Sequence, residues 1–131
     1  MGELPRKKPL LLIADDDAEL MGIILKRLQQ LDEYEVITAS DGESAVQLIR
    51  ESRPDAVILD VMMPKKNGWE VLKEIRKDGD MKNTGVLMLT GIGSTLNEIT
   101  SPLYGADEYL DKPFNFSELL FKIKRVVVAR R

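Results

Sequence analysis

The chain has 131 residues, 44% of them hydrophobic and 31% charged, with a formal net charge of −3; such a length suits one globular domain able to bury roughly two-thirds of its unfolded surface. It contains neither cysteine nor histidine, which excludes disulfides, thiolate-held zinc, iron–sulfur clusters, a catalytic triad, and a phosphohistidine formed on the chain itself. Any metal must therefore bind oxygen ligands, and covalent chemistry must fall to a carboxylate, a hydroxyl or a lysine.

Arg6, Lys7 and Lys8 open the chain as a basic lead-in expected to be solvated. The apolar run Leu10–Ala14 follows and stops at Asp15-Asp16-Asp17. It is far shorter than the ~18 residues of a membrane span, and too short for the core of a signal peptide. The expectation is a soluble cytoplasmic domain without membrane contact. The run itself reads as a strand buried on both faces. Leu20, Ile24, Leu28 and Leu31 then share one helical face, with Asp17 as the N-cap. Val36–Thr38 is a second buried strand, and Ala45, Leu48 and Ile49 mark a second helix. Ala56–Asp60 is the third strand, and Val71, Leu72 and Ile75 mark the third helix. Val86–Thr90 is the fourth strand, and a weaker fifth covers Glu108–Leu110. The last helix runs from Phe116 to about Ala129, carrying Leu119, Leu120, Ile123, Val126 and Val127. Asn115 is its expected N-cap, with Glu118 three residues on in a capping-box pattern.

Five βα units without a repeat or linker predict one α/β domain, a doubly wound parallel sheet with helices on both faces. In such a sheet the functional crevice lies at the carboxyl ends of the strands. Polar residues stand where the apolar runs stop: Asp15-Asp16-Asp17, Asp60, Thr90, and Asp111-Lys112-Pro113. With the first and third strands adjacent, Asp15, Asp16 and Asp60 converge, and three close carboxylates repel one another. A hard divalent cation such as Mg²⁺ relieves that repulsion. Lys112 supplies a point charge and Thr90 a hydroxyl for phosphoryl oxygens. These are the parts of phosphoryl transfer, with Asp60 as nucleophile. Singly, each has an ordinary reading: a strand-end aspartate caps a helix, Thr90 is a β-branched strand residue, Lys112 is a solvated charge. Their joint placement at four strand ends points to chemistry.

The motifs Leu11-Leu12-Ile13-Ala14-Asp15-Asp16-Asp17, Ile58-Leu59-Asp60-Val61-Met62-Met63-Pro64 with Gly68, Leu89-Thr90-Gly91, and Tyr109-Leu110-Asp111-Lys112-Pro113-Phe114 resemble those of a response-regulator receiver domain. This is the phosphoacceptor module of two-component signalling, of the chemotaxis-regulator type. Asp60 lies 44 positions after Asp16, 30 before Thr90 and 52 before Lys112, intervals that also resemble the family's. The likeness runs from about Pro9 to Val128, so residues 1–131 are read as a single receiver domain.

The resemblance implies a flavodoxin-like (βα)₅ fold with strand order 2-1-3-4-5. It implies that Asp60 accepts a phosphoryl group, that Asp15, Asp16, Asp60 and the Met62 carbonyl hold Mg²⁺ (or Mn²⁺), and that Thr90 and Lys112 hold phosphoryl oxygens. Tyr109 resembles the aromatic switch residue, Pro64 and Gly68 are structural, and the peptide before Pro113 is expected to be cis. The donor would be a sensor histidine kinase or a histidine phosphotransfer protein. A downstream effector would read the face formed by the fourth helix, fifth strand and fifth helix. Such a domain is a signalling phosphoacceptor rather than an enzyme, though it assists its own phosphorylation and dephosphorylation. Met62 and Ile92 are apolar where polar residues are common in the family, which implies slow self-dephosphorylation. Pro102 falls where the family's fourth helix is usually continuous, implying a kink or a late start capped by Ser101.

Two other readings compete. An aspartyl phosphatase of the haloacid dehalogenase type would use Asp15-x-Asp17, Thr90 and Lys112, but it needs a further acidic pair after the lysine, where only Glu118 stands, and it leaves the Asp60 motif unexplained. A receiver-like binding module independent of phosphorylation is set against by the intact Asp15, Asp16, Asp60, Thr90 and Lys112. The acidic balance and the lack of a basic stripe predict no direct nucleic-acid contact by this segment.

Overall fold

Buried apolar runs alternating with helical segments leave the chain few ways to satisfy its backbone, and a computed structural model, which describes residues 8–91 and 105–129, shows the one it takes. The strands are β1 (Leu10–Ala14), β2 (Glu35–Ala39), β3 (Ala56–Asp60), β4 (Gly85–Thr90) and β5 (Glu108–Asp111). The helices are α1 (Ala18–Leu31), α2 (Gly42–Ser52), α3 (Gly68–Lys77) and a C-terminal helix, Phe116–Ala129. All strand pairs are parallel and the order is β2-β1-β3-β4-β5, the doubly wound, flavodoxin-like arrangement. The expected fourth helix, with Ile92, Ser101 and Pro102, lies outside the described residues, as do Arg6 and Lys7.

Side-chain alternation splits the central strands between two cores. Leu12, Ala14, Val57, Leu59, Val86 and Met88 face one layer with α2 and α3. Leu11, Ile13, Ile58, Leu87 and Leu89 face the other, with α1 and the C-terminal helix. Every residue of β1, β3 and β4 is buried. β2 departs from the expectation of a strand buried on both faces: Val36 and Ile37 are half-buried and Thr38 is exposed, because in this order β2 is an edge strand. Leu31 departs too, being 40% exposed while Met21 is buried. It is the last residue of α1, where Asp32 turns the chain away in a left-handed conformation (φ 54°). Lys8 is not simply solvated; it pairs with the carboxylate of Asp32.

Helix starts are fixed locally. Asp17 Oδ1 accepts from Leu20 N–H at 3.0 Å, and Asp41 caps α2 through Ser44 N–H at 2.8 Å. Asn67 with Glu70 and Asn115 with Glu118 form reciprocal capping pairs. At the amino end of the sheet Arg76, from α3, donates to the carbonyls of Thr84 (2.6 Å) and Gly105 (2.9 Å). It also pairs with Asp107 at 3.0 Å, and Asp107 accepts from Val86 N–H at 2.9 Å. This clasp fixes the entry to β5. Among the described residues no helix is long and apolar enough to cross a membrane.

Leu72 is fully buried in the α3 layer whereas Leu31 is not. Leu72→Ala is expected to lower unfolding free energy by about 2–5 kcal/mol, and Leu31→Ala by less than about 0.5 kcal/mol. Urea denaturation with an unchanged slope for both variants checks this contrast.

Candidate functional site

Register dictates where the acidic residues meet. β1 and β3 are neighbours with Ala14 opposite Leu59, so the next residue along each, Asp15 and Asp60, emerges side by side at the carboxyl rim. Asp16 follows in the β1–α1 turn. One carboxylate oxygen from each of Asp15, Asp16 and Asp60 lies within 4.8 Å of the others. Asp15 is 2% exposed and Asp60 5%, whereas Asp16 is exposed. The cluster thus has two carboxylates sunk at the strand ends and one facing solvent. An open cleft of about 460 Å³, whose lining includes Asp15, Asp16, Met21, Thr38 and Ser44, lies alongside.

Lys112 comes in from the end of β5. Its Nζ donates to Asp15 Oδ2 at 2.8 Å and lies 3.3 Å from Asp60 Oδ1. The remaining Asp15 oxygen, Oδ1, accepts from Asp17 N–H at 3.0 Å. Burial works against the Lys112 charge, but the hydrogen bond and charge of Asp15 and the charge of Asp60 outweigh it and raise its pKa. Asp60 moves the other way from an ordinary carboxylate. Desolvation first, and the charge of Asp15 second, push its pKa up to about 6, against the opposing pull of Lys112. One ammonium does not balance three carboxylates.

Thr90 ends β4 and is fully buried. Its carbonyl accepts from Lys112 N–H at 2.7 Å, which ties the fourth and fifth strand ends together. Tyr109, within β5, is half-buried against the core layer of α2 and α3. The Lys112–Pro113 peptide is cis. Met62 follows the acidic rim with its side chain 67% exposed, and Ile92 lies outside the described residues. Pro64 sits in the β3–α3 connection, which is closed by Gly68 N–H donating to Val61 O at 2.9 Å. A Cβ on Gly68 would meet Asp60 O at 2.5 Å, so only glycine lets α3 start this close to the rim. The structure therefore brings Asp15, Asp16, Asp60 and Lys112 into one cluster, with Thr90 at the neighbouring strand end. The contact of Gly42, at the start of α2, with Lys66 in that same connection is not legible from the sequence; an Asp-Gly pair before a helix reads only as a cap.

A profile of the response regulator receiver domain matches residues 11–124. A probable transcriptional regulator, ycf27 of Guillardia theta, is 45% identical over 120 residues, covering 92% of this chain and 46% of that protein. The chain thus spans about half the length of the curated relatives it matches. Among solved structures, the receiver domain of Francisella response regulator 1452 superposes with a TM-score of 0.85 at 32% identity, covering 95% of this chain and 100% of that one. The receiver domain of the Pseudomonas aeruginosa sensor histidine kinase PA1611, solved with a magnesium ion in its active-site cleft, gives 0.82 at 26% identity, covering 92% and 98%.

Because the folded-state pKa of Asp60 lies above its ordinary 3.8, ionising it costs the fold. That cost is absent below about pH 4 and is fully developed once pH has risen through the folded value. Asp60→Asn is therefore expected to raise the melting temperature by a few degrees at about pH 7.5 in metal-free buffer. The gain should shrink towards about pH 4.5, where Asp60 is already largely protonated. Calorimetric melts across this range check it; a variant less stable at the higher pH contradicts the assigned repulsion.

Proposed function

The chain belongs to the response regulator receiver domain family of two-component systems, and from that premise we propose that Asp60 accepts a phosphoryl group from a phosphohistidine on a partner protein. The observation that carries this is Asp60 itself: a buried carboxylate at the end of β3, with a raised pKa, an ammonium 3.3 Å away and two further aspartates beside it. Receiver domains act with histidine kinases and effectors; here the histidine must lie outside these 131 residues, which contain none.

The donor set fits a hard divalent cation. Three carboxylate oxygens within 4.8 Å of one another, balanced only by Lys112 among the described residues, leave an excess of negative charge at a partly dry rim. The receiver domain of PA1611 was solved with magnesium in its cleft. Asp15, Asp16, Asp60 and the Met62 carbonyl would hold Mg²⁺, with Mn²⁺ as a substitute. Bound there, it supplies charge neutralisation for the carboxylates and for incoming phosphoryl oxygens.

The transfer asks little covalent work of the protein. A carboxylate oxygen of Asp60 attacks phosphorus, the new P–O bond forms as the P–N bond breaks, and the bonding pair leaves on the partner's imidazole, which takes up a proton from solvent. Lys112 exchanges its Asp60 contact for a phosphoryl oxygen, and the Thr90 hydroxyl meets another. The added dianion draws Thr90 and Lys112 inward. Tyr109, beside them on β5, follows, so that the face containing β5 and the C-terminal helix changes for a downstream effector. We assign the domain to the cytoplasm, with the histidine-bearing partner that would charge it. The domain assists formation and loss of its own phosphate without turning over a separate substrate, and it makes no nucleic-acid contact itself.

Incubation with Mg²⁺ and acetyl phosphate is expected to add one phosphoryl group by intact mass, and Asp60→Asn or removal of Mg²⁺ by chelation should abolish the gain. No gain on the wild-type chain refutes the reading. The apolar Met62 and Ile92 cannot orient an attacking water, so the phosphorylated form should decay slowly. Met62→Asn combined with Ile92→Glu is expected to shorten its lifetime severalfold, measured by loss of the added mass; an unchanged lifetime removes their assigned role.

A further inference from the structure

The β3–α3 connection is tied at both ends. On the site side, Val61 N–H donates to Leu89 O at 2.9 Å and Gly68 N–H to Val61 O at 2.9 Å, which anchors the backbone just after Asp60 to the sheet. Val61 is buried and held by both bonds, whereas Met62 and Met63 follow it in the stretch that leads on to the turn. On the far side, Pro64, Lys65 and Lys66 make a tight γ-turn. Lys66 N–H donates to Pro64 O at 2.8 Å, and Lys65 has a φ of 69°, a strained conformation for a residue with a side chain. A strained turn persists only where its surroundings hold it.

What holds it is the start of α2. Gly42 N–H donates to the same Pro64 carbonyl at 3.2 Å, and Lys65 Nζ lies 3.9 Å from the Asp41 carboxylate that caps the helix. The approach is closer than any side chain permits. A Cβ at position 42 would lie 2.0 Å from Lys66 O and 2.6 Å from Lys66 C. Both are backbone atoms, so the turn itself would have to retreat, by roughly 1–1.5 Å, to regain ordinary van der Waals separation.

We propose that Gly42 is a positioning residue for the acidic site: by letting the Pro64–Lys66 turn seat on the N-terminus of α2, it sets the Met62 backbone that completes the oxygen-ligand set. The inference rests on the metal reading above. Asp15, Asp16 and Asp60 belong to the ends of β1 and β3 and the turn after β1 and do not depend on this contact, whereas Met62 lies on the loop that would be displaced. Mg²⁺ tolerates little departure from octahedral geometry, so a shifted ligand weakens binding without removing a carboxylate.

The test uses Mg²⁺ alone, titrated calorimetrically without a phosphodonor. Gly42→Ala is expected to bind it roughly 10-fold more weakly, in the range typical of outer-shell substitutions. Gly85→Ala is the control, since a Cβ there would meet Val126 O at 2.0 Å but at the amino end of β4, away from the acidic rim. It should lower the melting temperature and leave Mg²⁺ affinity unchanged. If the wild-type chain binds no Mg²⁺, the metal reading itself fails. If the wild type binds and Gly42→Ala binds equally well, or both variants weaken equally, the positioning role is overturned. Should Gly42→Ala not fold, the wild-type amide spectrum decides: the Gly42 resonance should move with the same Mg²⁺ midpoint as that of Met62 while Gly85 stays still, and a stationary Gly42 refutes the coupling.

Discussion

Crowded negative charge at the ends of two adjacent parallel strands is the constraint around which the rest of this molecule is arranged. Asp15 and Asp60 can be buried there only because Lys112, 97 positions from Asp15 in the chain, reaches back across the rim to both. That contact requires β5 to end beside β4, as the 2.7 Å bond from Lys112 N–H to Thr90 O ensures. It requires β1 and β3 to be neighbours, which the strand order provides. It also requires a sheet stiff enough to resist the repulsion, supplied by the wholly buried β1, β3 and β4 with a core on each side. The stability stored in those cores offsets an unfavourable cluster, the usual relation between a scaffold and a working site.

Much of this is readable in the sequence because its strongest signals are local. Continuous apolar runs announce β1, β3 and β4, and each stops at the polar residue that the structure places on the rim. The capping pair Asn115–Glu118 is readable for the same reason, and the Asn67–Glu70 pair carries the same pattern. Expectation and structure part where the answer depends on neighbours. Val36–Thr38 has the composition of a central strand, yet burial is set by what lies beside it, and among the described residues no strand lies beyond β2. Leu31 keeps the helical phase of core positions such as Ile24 and Leu28 but sits past the sheet's reach. The Arg76 clasp and the seat of Lys66 on Gly42 join segments distant in sequence, and single-sequence patterns do not record which loops touch.

The two cores also differ in what they serve. The layer under α2 and α3 carries the β3–α3 connection and receives Tyr109. The opposite layer joins α1 to the C-terminal helix, where Arg27 stacks over Phe116 at 4.5 Å. β5, at the sheet edge, gives Tyr109 to the first layer and Leu110 to the second before the chain reaches Lys112. Glu108, at its start, is held by Lys122 at 2.7 Å and Arg125 at 3.2 Å from the C-terminal helix.

The clasp of Arg76 on Asp107 and Gly105 gives β5 a mechanical character. With its whole length paired to β4 and its amino end gripped from α3 and, through Glu108, from the C-terminal helix, the strand is anchored most heavily at the end away from the acidic rim. Drawing the strand along its length would break the part-buried Arg76–Asp107 ion pair. The amino end of β5 is thus the fixed reference against which any displacement of Lys112 at the carboxyl rim would be taken up.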